Sequence, residues 1–129
     1  MDSSENFTLI QKTKGKLPRL PFVHIKEKSL GITYELALIF VGDKTSRALN
    51  KKYRDKTYTP NVLSFPLSKN AGEIYINPNV AKKQAPKFGV NTETFIAHLF
   101  IHGLMHLKGY DHGSKMDKAE AKIRKEFSL

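Results

Sequence analysis

Residues 91–112 read NTETFIAHLFIHGLMHLKGYDH. Asn91 can cap a helix, and Glu93 places an anion in its first turn, where the helix dipole favours one. Phe95, Ile96, Leu99, Phe100, Leu104 and Leu107 recur at helical spacing and supply an apolar face. Gly109 can end the helix in the left-handed conformation. His102 and His106 lie four residues apart, so they project from one face, one turn apart. His112 follows six residues after His106, and Gly109 between them lets the chain turn back. Three neutral imidazoles can hold one ion and leave a fourth position for water, the pattern of a catalytic rather than a structural zinc. Zinc suits these ligands best, and nickel, copper and iron accept them too.

On either side of this helix the elements are shorter. Residues 33–41 read as the clearest strand. Tyr34, Leu36, Leu38 and Phe40 alternate on one face, and Ala37, Ile39 and Val41 make the other apolar as well. Such a strand belongs in the middle of a sheet, buried on both sides. Residues 7–10 and 62–66 suggest further strands, as do 73–76. Pro21 and Gly31 bracket a short helix over 21–30. Asp43 can cap a helix running to about Tyr53, and residues 57–61 have turn chemistry. Asn77 and Pro78 open a short helix that Pro86 stops. A last helix covers 116–127. Strands and helices mix without strict alternation, which predicts an α+β fold. The expected architecture is a single domain with a mixed sheet of about four strands flanked by helices, and the metal site at the end of the long helix.

A chain of 129 residues suits one domain, and an apolar share of 40% is enough for a core. The absence of cysteine excludes disulfides, iron–sulfur clusters and thiolate zinc sites. No run approaches the ~20 apolar residues that span a bilayer. The opening MDSSENFTLI lacks the basic-then-apolar pattern of a secretory signal. These features predict a soluble, cytoplasmic protein. Lys and Arg number 22 against 12 Asp and Glu, a formal charge of +10. The excess favours a polyanionic partner, since cations on phosphates release counterions. A merely solvated basic surface is the plainer account. Membrane binding fits less well, because no basic helix carries a broad apolar face.

Other residues near the motif admit two readings each. His98, one turn before His102, is a fourth ligand or a packed side chain with a hydrogen bond of its own. Asp111 orients a ring or caps the turn. His24 is isolated and has no assigned role. Gly103 sits inside the helix, where glycine costs ~1 kcal/mol against alanine. Close approach of a strand or a substrate would compensate. The spacing H-x-x-x-H-x-x-G-x-x-H is that of metzincin peptidases, which place a glutamate general base after the first histidine. Gly103 holds that position here, so a metalloendopeptidase would lack its usual base.

HGLMHLKGYDH resembles the signature of the YbeY family, bacterial rRNA maturation factors assigned as single-strand-specific, metal-dependent endoribonucleases. Leu49-Asn50, Tyr53-Arg54 and the segment Asn61-Val62-Leu63-Ser64-Phe65-Pro66 resemble further family motifs. So do Gly72-Glu73-Ile74-Tyr75-Ile76, Gln84-Ala85, and Met116 with Glu120. Thr59 and Pro60 depart from the usual Pro and Thr before Asn61. The resemblance implies a mixed sheet flanked by helices. It implies zinc on His102, His106 and His112, with Arg54 in the active-site cleft and Arg54 and His112 as catalytic residues. It also implies rRNA precursor as substrate, action in 16S rRNA processing and ribosome quality control, and contact with small-subunit components. Arg54 suits a phosphate, because its guanidinium is a planar fork that stays charged. Alternatively it is a surface arginine at a helix end. Asn61 and Ser64 line the cleft or merely belong to the strand. Lys51, Lys52 and Lys56 track an RNA backbone or solvate a helix. A metzincin-like metalloendopeptidase and a non-catalytic ribosome-assembly factor with structural zinc are the rival readings.

Overall fold

Four short, β-branched or aromatic segments pair into one mixed sheet in a computed structural model that describes residues 6–129. Half of the opening stretch read for a secretory signal, residues 1–5, lies outside the described residues. The strands are β1 (Phe7–Gln11), β2 (Glu35–Phe40), β3 (Val62–Ser68) and β4 (Ala71–Ile76), in the order β1-β2-β4-β3. β1, β2 and β4 run parallel, and β3 returns antiparallel on β4 as the edge strand. Pro66 is tolerated because β3 is an edge, and the register slips between Pro66 and Ser68. β2 is interior, paired on both sides, as its two apolar faces predict.

Among the described residues five α-helices complete the fold: α1 (Phe22–Leu30), α2 (Asp43–Arg54), α3 (Pro78–Gln84), α4 (Thr92–Leu107) and α5 (Ser114–Glu126). A 3-10 turn, Ala85–Phe88, extends α3 through Pro86. The register puts Leu36, Leu38, Phe40, Ile74, Ile76 and Ser64 on one sheet face, and α4 packs there. α5, α3 and α1 also pack on α4. Among the described residues no helix is long and apolar enough to cross a membrane.

Two expectations change. Asp43 does not cap α2. Gly42 is the N-cap, and the Asp43 carboxylate instead accepts bonds from Asn77 Nδ2 (2.9 Å) and Asn79 Nδ2 (3.0 Å), tying α2 to the start of α3. Those two bonds hold its pKa below the usual carboxylate value. Nor does α4 have a single apolar face. Ala97, Ile101, Gly103 and Met105 are buried as well, because α1, α3 and α5 pack on the helix in addition to the sheet.

Candidate metal centre

The C-terminus of α4 builds the site. Gly109 takes φ +106°, its N–H donating to His106 O, while Tyr110 N–H donates to Met105 O, each at 3.0 Å. This pair of bonds is the Schellman end that a glycine permits. It reverses the chain so that His112, just before α5, returns over the last turns of α4. The rings of His102, His106 and His112 then lie 4.6–5.2 Å apart between centroids.

One ligand atom from each ring falls within 4.8 Å of the others, and Nε2 of His102 lies 3.1 Å from Nε2 of His106. Zn–N bonds of about 2.0–2.1 Å at tetrahedral angles set neighbouring nitrogens roughly 3.3 Å apart. The donor set fits one metal ion. His106 is pushed below the usual imidazole pKa, chiefly by burial and then by the neighbouring His102 and His112 rings. It is therefore readily neutral, as a ligand must be.

Glu120 supplies what the sequence reading did not assign. Its Oε2 lies 2.7 Å from His102 Nδ1. With the proton on Nδ1 and donated to Glu120, Nε2 of His102 keeps its lone pair for a metal. Arg124 Nη1 approaches the other carboxylate oxygen at 3.7 Å. Asp111 lies in the cleft wall, and the ring-orienting carboxylate is Glu120. His98 turns away from the cluster: its Nε2 meets Leu129 O at 3.3 Å. Only three protein ligands converge among the described residues, which leaves room for a further one.

The cluster opens into a cleft of about 940 Å³. Arg54, Lys56, Asn61 and Ser64 line it together with the three histidines. Arg54 Nη2 donates to Ser64 O at 2.6 Å, and the guanidinium lies over the Phe65 ring at 5.3 Å. One arm is thus anchored and the head held flat. Ser64 Oγ donates to Gly103 O at 3.1 Å, linking the strand under Arg54 to the residue after His102. That closeness explains Gly103. A Cβ there would sit 2.8 Å from Ser64 Oγ and 3.1 Å from Ile74 Cδ1. The approaching neighbour is the sheet. Asn61 Nδ2 donates to Gln84 Oε1 at 2.8 Å, joining two more motif residues beside the cleft wall. The lysines divide. Lys56 lines the cleft, whereas Lys51 pairs with Asp55 (3.6 Å) and Lys52 lies over Tyr53 (5.2 Å).

A cluster of three histidines able to hold a metal ion, at the end of a long helix on a mixed sheet, is the class that fold and site define together. The family model Endoribonuclease YbeY matches residues 9–128, and the chain belongs to that family. Endoribonuclease YbeY of Helicobacter pylori strain J99 is 42% identical over 104 residues, covering 78% of this chain and 72% of that protein. The protein of the same name from Neisseria gonorrhoeae is 39% identical over 106 residues, covering 74% of this chain and 61% of its own length. The fold is similar to a solution structure from Thermotoga maritima, at a TM-score of 0.66 and 26% identity over 94% of this chain and 88% of that one.

Proposed function

We propose that the whole chain, residues 1–129, acts as one zinc-dependent, single-strand-specific endoribonuclease domain. In this reading it works in the cytoplasm on rRNA precursor, in 16S rRNA processing and ribosome quality control, beside small-subunit components. The observation that carries it is the convergence of His102, His106 and His112 in a cleft shared with Arg54. The names of the relatives and the +10 charge support an RNA substrate.

His102, His106 and His112 would hold the ion. Bound zinc supplies Lewis acidity, polarising a phosphoryl oxygen and making water more acidic. Glu120 orients His102 and raises its basicity as a ligand. Arg54 keeps N–H donors free after its bond to Ser64 O, and these stabilise negative charge developing on the scissile phosphate. His112, the most exposed of the three, brings the cleft side of the cluster against the substrate. Lys56 holds the backbone beside it.

Both rivals meet a physical objection. A metzincin-like peptidase needs its base at position 103, yet a side chain there would run into Ser64 and Ile74. A structural zinc is normally closed by four protein ligands, yet His98 is bonded to Leu129 O. The deciding experiment offers purified protein a single-stranded RNA and a peptide library side by side, with metal analysis and His106→Ala as control. RNA cleavage by the wild type alone is expected. Peptide cleavage with intact RNA would overturn the proposal.

A further inference from the structure

Phe88 ends the 3-10 turn after α3, and 67% of its surface is exposed. Its ring stacks on Phe95, with centroids 5.1 Å apart and planes within 19°. Both rings line the cleft of the histidine cluster. Phe95 shares its stripe of α4 with Leu99, His102 and His106, which line the cleft too. Seven residues at a 1.5 Å rise place Phe95 about 10 Å along the helix from His102. A nucleotide adjoining a phosphate at the histidines can cover that span. A second aromatic, Tyr58, is 62% exposed in the loop between α2 and β3 and lines the same cleft. Its backbone carbonyl accepts from Asn50 Nδ2 at 3.0 Å, which ties the loop to α2.

We propose that Phe88, braced by Phe95, is a stacking platform for an unpaired base beside the phosphate held at the histidine cluster, with Tyr58 as a second base contact. The chemistry is that of single-strand binding grooves: cations follow the backbone while aromatic faces take the bases. Arg54 and Lys56 provide the cations in this cleft, and Lys87 adjoins Phe88 in sequence. A base laid on the open face of Phe88 continues the Phe95–Phe88 stack and removes an exposed ring from water. Bases in a duplex already have both faces covered by their neighbours. The platform thus selects single strands without reading sequence. The inference rests on the endoribonuclease reading above and deepens it.

The test measures binding of wild type, Phe88→Ala and Phe88→Trp to two RNA strands with blocked 2′-hydroxyls, read by rapid mixing before any cleavage. One strand carries its bases, and the other has the same phosphates with abasic sugars. Phe88→Ala should weaken binding to the base-bearing strand by about 5- to 100-fold, leave the abasic strand unaffected, and be rescued by Phe88→Trp. Equal losses on both strands, or no loss on either, would overturn the platform. Cleavage of an unblocked strand by the wild type is scored separately. Failure there contradicts the nuclease reading, while base-dependent binding through Phe88 would still stand.

Discussion

Glu120 Oε2 lies 2.7 Å from His102 Nδ1, with the Glu120 side chain only 13% exposed. The carboxylate comes from α5 and the imidazole from α4. The candidate metal centre therefore depends on how the last helix docks, although α5 contributes none of its three histidines.

Removing this carboxylate should cost metal affinity before it costs fold. Glu120→Ala is expected to weaken zinc binding by about 10- to 100-fold, measured by competition with a chelator. Glu120→Gln, which can still accept from Nδ1–H, should lose less. Arg124→Ala should have the smallest effect, since its contact is longer and its side chain a third exposed.

Gly103→Ala pits helix propensity against packing. Alanine gains ~1 kcal/mol as a helix former, but its Cβ would crowd Ser64 Oγ at 2.8 Å and Ile74 Cγ2 at 3.2 Å. Overpacking of this kind costs typically 1–3 kcal/mol. A net loss of up to about 2 kcal/mol should appear in denaturant unfolding. The unfolding slope should stay unchanged.

Acid should destabilise the metal-free protein through His106. Its pKa is held down in the fold, first by burial and then by His102 and His112. Below the unfolded value near ~6.5 the unfolded chain binds the proton first, so stability falls as pH drops from there toward the folded pKa. His106→Asn should flatten that slope in thermal unfolding scans taken across this range. Zinc affinity should decline over the same acid range, as protons compete for the ligands.

Arg54 and Lys56 should separate in single-turnover cleavage across RNA concentrations. Arg54→Ala is expected to slow cleavage at saturating RNA by roughly 10²–10³-fold, with zinc content unchanged. Arg54→Lys should rescue little, because an ammonium cannot reproduce the flat fork held between Ser64 O and Phe65. Lys56→Ala should weaken binding and lower the salt slope by about one, with little effect at saturation. If Arg54→Ala behaves like Lys56→Ala, Arg54 belongs only to the basic surface.

The long helix, the central strand and the histidine cluster were legible because each rests on local spacing: helical histidines four apart, alternation along β2, a glycine at the turn. Contacts set by tertiary packing were not. Nothing local says that Asp43 prefers Asn77 and Asn79 to its own helix start. The burial of α4 beyond one face needed the other helices packed on it, and the hydrogen bond of His98 needed Leu129. Glu120 was legible as a motif residue with Met116, but its role was not. Met116 and Ile123 are the buried residues of α5, and Glu120 lies four after one and three before the other, on the same face. The cost of Gly103 was foreseen, and the structure identifies the neighbour as Ser64 and Ile74.

The most direct measurement is the cleavage rate of a single-stranded RNA as zinc is added back to metal-stripped protein. The rate should rise in proportion to zinc and level off at about one ion per chain, as a single three-histidine site requires. His106→Ala should show no such rise. A rate indifferent to added zinc, or one that His106→Ala preserves, would contradict the account.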